Sequence, residues 1–264
     1  MNKIIIGNEI KYKLDDKIKC DYTDDLIKKL KIKVLKNTKL EININLKEEI
    51  KLDIQIELED NVKLKLIEVK KNVKTKILNK YNLNSNSNIE IIKINNINTI
   101  NEKDIVNLNG ENATCDIILK TVSKSLEKYD LLINHNKLNT TSNIVTNGLN
   151  ISGNLYFTVT TYVPNGIKNC ICNQQNRIIN LVDKECVIKP NLLIEEVDVT
   201  ANHSALIGSF KDDEIFYMQR LGISKEDANK LLIEGFLKSK IDNKLALEFK
   251  KYWRWIWTEM IFYY

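Results

Sequence analysis

Leu40-Glu41-Ile42-Asn43-Ile44-Asn45-Leu46 and, shortly after, Ile50-Lys51-Leu52-Asp53-Ile54-Gln55-Ile56-Glu57-Leu58 alternate apolar and polar side chains without a break. Val62-Lys63-Leu64-Lys65-Leu66 repeats the pattern. A period of two puts every apolar side chain on one face of a strand. The runs recur about every ten residues across 34–78, separated by short polar breaks such as Glu59-Asp60-Asn61. That rhythm predicts a sandwich, a barrel or a coiled solenoid of strands.

Upstream, residues 1–34 read as a short apolar strand and a helix. Thr23-Asp24-Asp25 would start the helix, and Leu26, Ile27 and Leu30 would form its apolar face. Downstream, 81–109 is rich in asparagine: Asn82, Asn84, Asn86, Asn88, Asn95, Asn96 and Asn98. Low-complexity disorder is one reading. Ile89, Ile91 and Ile94 keep a strand-like face, which favours strands joined by asparagine turns that tolerate the left-handed backbone and can stack in a solenoid.

After Pro190 the period lengthens. Residues 211–222 read as a helix starting near Asp212 and closed by Gly222. Ser224-Lys225-Glu226-Asp227 resembles a capping box for a second helix to about Lys238, with Ala228, Leu231, Leu232 and Phe236 on one side. Phe249, Tyr252, Trp253, Ile256, Trp257 and Met260 recur at helical spacing in 245–264. Lys250, Lys251, Arg254 and Glu259 make that stretch too polar to span a membrane. Its aromatics suit either packing on their own domain or a partner interface.

Composition narrows the class. The chain has 264 residues, 43% hydrophobic and 28% charged, which is ordinary for a soluble globular protein. Aromatics are only 7%, so Ile, Leu and Val must fill the core, as they do between stacked strands. The net charge of +5 is spread over lysines that alternate with apolar residues and are interspersed with acids. That is a solvated face of mixed sign, and it argues against nucleic-acid binding. The opening apolar run, Ile4-Ile5-Ile6, is too short for a signal peptide, and no later run is long enough for a bilayer. Five cysteines, Cys20, Cys115, Cys170, Cys172 and Cys186, form no dense even framework. Reduced thiols in a cytoplasmic protein are the simpler expectation.

The C-terminal half carries a resemblance. Pro190-Asn191-Leu192-Leu193-Ile194-Glu195 leads through Val197-Asp198-Val199 to Asn202-His203-Ser204-Ala205 and Ile207-Gly208. Ile215-Phe216-Tyr217-Met218-Gln219-Arg220, Gly222-Ile223 and Glu234-Gly235-Phe236 follow in order. Upstream, Ile133-Asn134-His135, Thr141-Ser142-Asn143, Gly148 and Gly153 fit the same pattern. This succession over about 130–237 resembles the SufB/SufD family of the SUF iron–sulfur cluster machinery.

The resemblance implies a mostly β chain: a right-handed parallel β-helix with a small N-terminal segment (1–34), a core (35–205) and a C-terminal helical region (206–264). It implies a scaffold subunit, not an enzyme, that handles a transient iron–sulfur cluster and binds no ATP itself. Its implied partners are a SufC-like ABC ATPase, docked through Phe216, Tyr217, Arg220, Gly222 and Phe236, and a second copy or a SufB-like paralogue in a dimer. Two positions depart from the SufB pattern: Gln175 stands where SufB-type chains have a cluster-related cysteine, and Ser204 where they have glutamate after the histidine. Both make the chain more SufD-like or a short minimal form.

Cluster ligation needs thiolates, sometimes with imidazole or carboxylate. The candidates are His203, Cys186, Cys170 and Cys172. Cys170 and Cys172 lie two apart and share a strand face, where two buried apolar fillers are the plain alternative. Cys115 and His135 read as structural. His203 is expected in a turn between the last strand and the first helix, the place the resemblance gives the family's functional histidine. One subunit supplies too few ligands, so a cluster would have to be shared across an interface. Gly148-Leu149-Asn150-Ile151-Ser152-Gly153 has P-loop glycine spacing, but Asn154 and Leu155 replace the Lys and Ser/Thr that phosphate binding requires. Two other functions compete: an adaptor that holds the ATPase without touching iron, and, remotely, a carbohydrate-active enzyme on a β-solenoid. The latter needs clustered carboxylates, and the acids here are scattered.

Overall fold

The computed structural model describes residues 2–241, apart from 8, 25, 46–48, 72–73 and 97–98, together with 245–246. The helix expected over 245–264 therefore lies outside the described residues, save Leu245 and Ala246.

Strands dominate. The first are β1 (Asn2–Ile6), β2 (Ile10–Lys13), β3 (Ile18–Asp24), β4 (Ile27–Val34), β5 (Thr38–Asn45), β6 (Ile50–Leu58), β7 (Lys63–Lys71), β8 (Lys74–Leu83) and β9 (Asn88–Asn96). Then come β10 (Thr99–Leu108), β11 (Thr114–Ser123), β12 (Leu126–His135), β13 (Thr141–Asn150), β14 (Asn154–Val163), β15 (Cys170–Asn180), β16 (Cys186–Ile194) and β17 (Val199–Gly208). Helices α1 (Asp212–Arg220) and α2 (Lys225–Lys238) follow.

Successive strands from β4 onward alternate between two sheets. One runs β17-β15-β13-β11-β9-β7-β5-β1-β2 and the other β16-β14-β12-β10-β8-β6-β4-β3. Ladders within each sheet are parallel except for two antiparallel hairpins, β1–β2 and β3–β4, at the N-terminal end. The result is a parallel β-helix of about six turns. Register partners lie one coil apart in sequence: Ile27 faces Lys51 early on, and Leu155 faces Cys186 in the last coil.

The asparagines build the corners. Asn61, Asn86, Asn112, Asn139 and Asn169, one per coil, have φ between 55° and 60°, a left-handed conformation their short polar side chains tolerate. Each donates its backbone N–H to a carbonyl of the next coil; Asn86 to Glu111 at 2.8 Å is one example. On the outer faces Asn134 donates to Asn107 and Asn107 to Asn82, both at 2.9 Å. The described asparagines of the tract, from Asn82 to Asn96, thus belong to the ordered solenoid, and Asn98 lies outside the described residues. Gly153 serves a different need, since a Cβ there would lie 2.0 Å from the Ser125 carbonyl oxygen of the preceding coil.

The helix expected after Thr23 is a strand. In β4, Leu30, Ile32 and Val34 are buried and alternate with exposed lysines, while Leu26 and Ile27 face solvent. Lys29-Leu30-Lys31-Ile32-Lys33-Val34 has period two, and pairing with both β3 and β6 decides its conformation.

Beyond β17 the chain turns back over the outer face of the nine-stranded sheet. Ser224 caps α2 by accepting the Asp227 N–H at 3.1 Å, and Gly222, at φ +82°, ends the turn after α1. Ile233, Phe236 and Leu237 of α2 pack with Phe210 on Ile67, Val69, Ile92, Ile94, Val122, Leu149 and Ile179. This second layer explains why these strands are buried on both faces. Leu231, expected on the apolar side, is 48% exposed; the buried stripe runs through Ala228, Ile233, Phe236 and Leu237 instead.

Candidate functional site

The solenoid ends at β16 and β17. Each is the last strand of its sheet, so among the described residues each leaves one backbone edge unpaired. Val199, Ala201, His203, Ala205 and Ile207 stand in register with Cys170, Cys172, Gln174, Asn176 and Ile178 of β15, all of them buried. His203 is therefore on the interior column of the last coil, exposed because no further coil among the described residues covers it. It lies inside β17, not in the expected turn. The tract Ala201-Asn202-His203-Ser204 lacks an alternating apolar pattern, and its strand conformation comes from pairing with β15.

Gln175 and Ser204, the two departures from the SufB pattern, are cross-strand partners. With Asn143, Val145, Asn173 and Lys240 they line a cleft of about 560 Å³ on the sheet beside the helices. It adjoins a groove of about 740 Å³ that runs past Arg177, Leu206, Phe210, Met218 and Phe236.

The thiols are not gathered around His203. Cys186 begins β16, half-buried, with its Sγ 3.3 Å from Asn150 Nδ2; burial raises its pKa. Gln174, directly beneath His203, instead donates to Thr161 Oγ1 at 2.9 Å and the Asn191 carbonyl at 3.1 Å. Five residues of extended chain, roughly 16 Å at strand rise, separate Cys186 from Asn191. Cys170 and Cys172 do share an inward face and are fully buried, with burial pushing Cys172 up to about 12. Cys115 is likewise buried, its pKa raised well above that of a free thiol by burial. Among the described residues, no three His, Cys, Asp or Glu side chains converge as a metal-ion ligand set.

Of the candidate docking residues, Phe216 and Tyr217 are 62% and 64% exposed on α1, and Arg220 is exposed at its C-terminal end. Phe236 is buried. Lys120 Nζ lies 5.7 Å and Arg177 Cζ 5.5 Å from its ring centroid, and Lys120 also donates to Ser239 Oγ at 2.9 Å. Phe236 thus anchors α2 to the sheet. Burial, with Lys240 nearby, brings Lys120 down to about 7.

Sequence reasoning missed a charged network inside the solenoid. Lys70 Nζ sits 2.9 Å from Glu68 and 2.7 Å from Glu102; Lys93 Nζ is 2.7 Å from Glu102 and also pairs with Asp104, and all are buried. Tyr81 donates to Glu68 at 2.8 Å, and Asn79 bridges Glu102 and Asp104. Burial works to raise Glu68, yet Lys70 and Lys93 outweigh it and hold it at about 2; burial lifts Asp104 to about 6. A signal was available: the alternation of Leu64 and Leu66 breaks at Ile67, so the inward phase continues onto Glu68 and Lys70.

With this geometry in view, comparison with known proteins is informative. Residues 28–236 match the SufBD core domain of the SUF system for FeS cluster assembly. The iron–sulfur cluster assembly protein SufD of Bacillus subtilis is 36% identical over 87 residues, 33% of this chain and 20% of that protein. SufD of Escherichia coli is 40% identical over 48 residues, 18% and 11% of the two chains. An iron–sulfur cluster assembly SufBD family protein of Mycobacterium leprae is 39% identical over 59 residues, 22% and 15%. The matched segments span a fifth or less of these curated relatives. The family domain, in contrast, covers most of the β-helix and both helices, and the chain belongs to the SufBD family.

Proposed function

We propose that this chain is a scaffold subunit for iron–sulfur cluster assembly, dimerising through its last coil and working with a SufC-like ABC ATPase in the cytoplasm. The observation that carries the reading is the last coil of the solenoid, whose outer edges no described residue pairs. Among the described residues, two strands of nine and ten residues end their sheets there with unpaired edges. Leu193, Leu206 and Ile207 of these strands are 55%, 52% and 42% exposed. Free edges of this length invite pairing with another chain. A second copy or a SufB-like paralogue would extend both sheets and enclose His203 between subunits. The cluster is then cargo, held by ligands from two chains. The exposed Phe216 and Tyr217 supply the aromatic area an ATPase interface uses.

A second reading, an adaptor that binds the ATPase without ligating the cluster, is favoured by the distance of Cys186 from the level of His203 and by Gln175 in place of a thiol. Anaerobic reconstitution with iron and sulfide separates the two, since only a scaffold acquires the cluster's visible absorption.

The test pairs two variants. His203 is exposed, so His203→Ala should change stability by no more than about 0.5 kcal/mol while abolishing cluster assembly in complementation of a strain lacking the gene. Phe216→Ala should weaken retention of the ATPase by about 2 kcal/mol and leave dimerisation intact. Full complementation by His203→Ala would refute the histidine's role, and unchanged ATPase binding by Phe216→Ala would reject the α1 surface.

A further inference from the structure

A row of outer-face side chains crosses the nine-stranded sheet beneath α2. Lys120 of β11, Asn147 of β13, Arg177 of β15 and Leu206 of β17 are register partners in turn. Both cations of the row lie against the Phe236 ring, but they differ in what satisfies them. Lys120 Nζ donates to Ser239 Oγ at 2.9 Å and to the Phe236 carbonyl at 3.3 Å. Arg177 donates a side-chain hydrogen bond to none of the described residues, and its Nε is buried without a partner. A buried donor left without an acceptor is costly. The Arg177 side chain borders the groove of about 740 Å³ between the helices and the sheet.

Lys240 borders the same groove. It follows α2 at φ +63°, the left-handed conformation in which helices commonly end on glycine. Burial first, and then the charge of Lys240, bring Lys120 down to about 7. Three cations therefore gather here, and among the described residues none has a carboxylate within ion-pair distance. The one carboxylate among the described lining residues, Glu214, is taken up at the start of α1, where it accepts the Lys211 N–H at 3.1 Å. The groove thus has an orphaned guanidinium, a lysine and no counter-charge of its own.

We propose that this groove binds an anion with an apolar body, a phosphate monoester or a carboxylate whose head is held by Arg177 and Lys240. A planar guanidinium offers parallel N–H donors that match two oxygens of either head, and the lysine adds a point charge. Ser204 and Gln175, exposed cross-strand partners on the same lining, donate to the remaining oxygens. The body has its own wall in Leu206, Phe210, Met218, Leu232 and Phe236. A groove of this size, mostly apolar with a few convergent polar groups, is the usual form of a small-ligand site. A cation is repelled by the same charges. Because the walls come from both the sheet and the helices, an occupant ties the helical layer to the solenoid.

The experiment is calorimetric titration of the full chain with 1-naphthyl phosphate, 1-naphthoate, inorganic phosphate and 1-naphthol. At least one of the two naphthyl anions should bind at one site per chain with a Kd of about 1 mM or tighter, and their ranking names the preferred head. Inorganic phosphate and 1-naphthol each carry half of the chemistry and should bind about tenfold more weakly or worse. Arg177→Gln and Lys240→Gln should each weaken the naphthyl anion about tenfold. Lys240 is exposed, so its variant keeps the fold, and Lys189→Gln, on the outer face of the other sheet, should bind as the parent does. Hydrogen exchange of the saturated parent should slow in α1 and α2 more than in β5 to β9, a result that depends on no variant. Absence of binding by both naphthyl anions, 1-naphthol binding as tightly as they do, or undiminished binding by Lys240→Gln and a folded Arg177→Gln would overturn the proposal.

Discussion

Lys93→Met removes one of the two ammonium groups that face Glu68 and Glu102, and the structure says what is left behind. Lys93 Nζ is 2.7 Å from Glu102, pairs with Asp104 and is 3.5 Å from Glu68. After the substitution three carboxylates face Lys70 alone. Glu68 and Glu102 keep their contacts to it, at 2.9 and 2.7 Å, but Asp104 retains only the Asn79 amide at 2.7 Å. Breaking a buried pair in this way costs about 3–5 kcal/mol, a large share of a domain stability of about 5–15 kcal/mol. The loss has a sign with pH. Asp104 is already lifted to about 6 from an ordinary 3.8, and losing Lys93 lifts it further. An acid raised on folding binds more protons in the native state, so stability falls as pH rises from its unfolded to its folded value. The variant should therefore be most destabilised at pH 7 and recover part of the deficit at pH 5, and Lys93→Met with Asp104→Asn should recover part at both. Urea unfolding followed by circular dichroism, compared at equal slope, measures it. A loss below about 1 kcal/mol at pH 7, or a loss that does not shrink at pH 5, would refute the view that these groups are a coupled ionic network.

Glu127 accepts hydrogen bonds from Thr121 and Tyr129 at 2.6 and 2.7 Å, yet burial still raises it from 4.5 to about 7. Its ionisation therefore disfavours folding as pH rises from 4.5 to 7. Relative to Glu127→Gln, the parent should lose about 3 kcal/mol of stability across that window, taking 1.36 kcal/mol per pKa unit; parallel stability–pH curves would contradict this. Phe236→Ala empties the space between Lys120 and Arg177 and should cost about 3–5 kcal/mol. Hydrogen exchange should speed up in α2 while β5 to β15 stay protected, and uniform acceleration would show that α2 is not a separable layer.

The strands were legible because their apolar side chains recur at period two over whole coils, as in Leu52, Ile54, Ile56 and Leu58, all buried. The asparagine turns were legible for a related reason: Asn86 belongs to the small group of residues that adopt positive φ at little cost. The N-terminal helix was misread because Thr23-Asp24-Asp25 looks like a cap and outweighed the period of two in Lys29–Val34, which pairing with β3 and β6 makes a strand. Local signals fix caps well, as Ser224 and Gly222 show, but cannot report which edges are open for pairing.

The site was legible in part, and the missing part has one physical cause. In a solenoid, a residue's surroundings are set by positions one coil away, some 24 to 31 residues off in register, and by the facing strand. Glu68 meets Lys93 because β7 stacks on β9, and His135 meets Cys172 because β12 faces β15. Neither pairing leaves a compact motif. The same rule places His203: its column of neighbours, Ile144 and Gln174, stops at β17. A side chain on this inward column is exposed here because β17 is, among the described residues, the last strand of its sheet. On the proposed scaffold reading the last coil is where inward-facing chemistry would meet a second chain, so substituting His203 should alter assembly while substituting Lys93 alters folding.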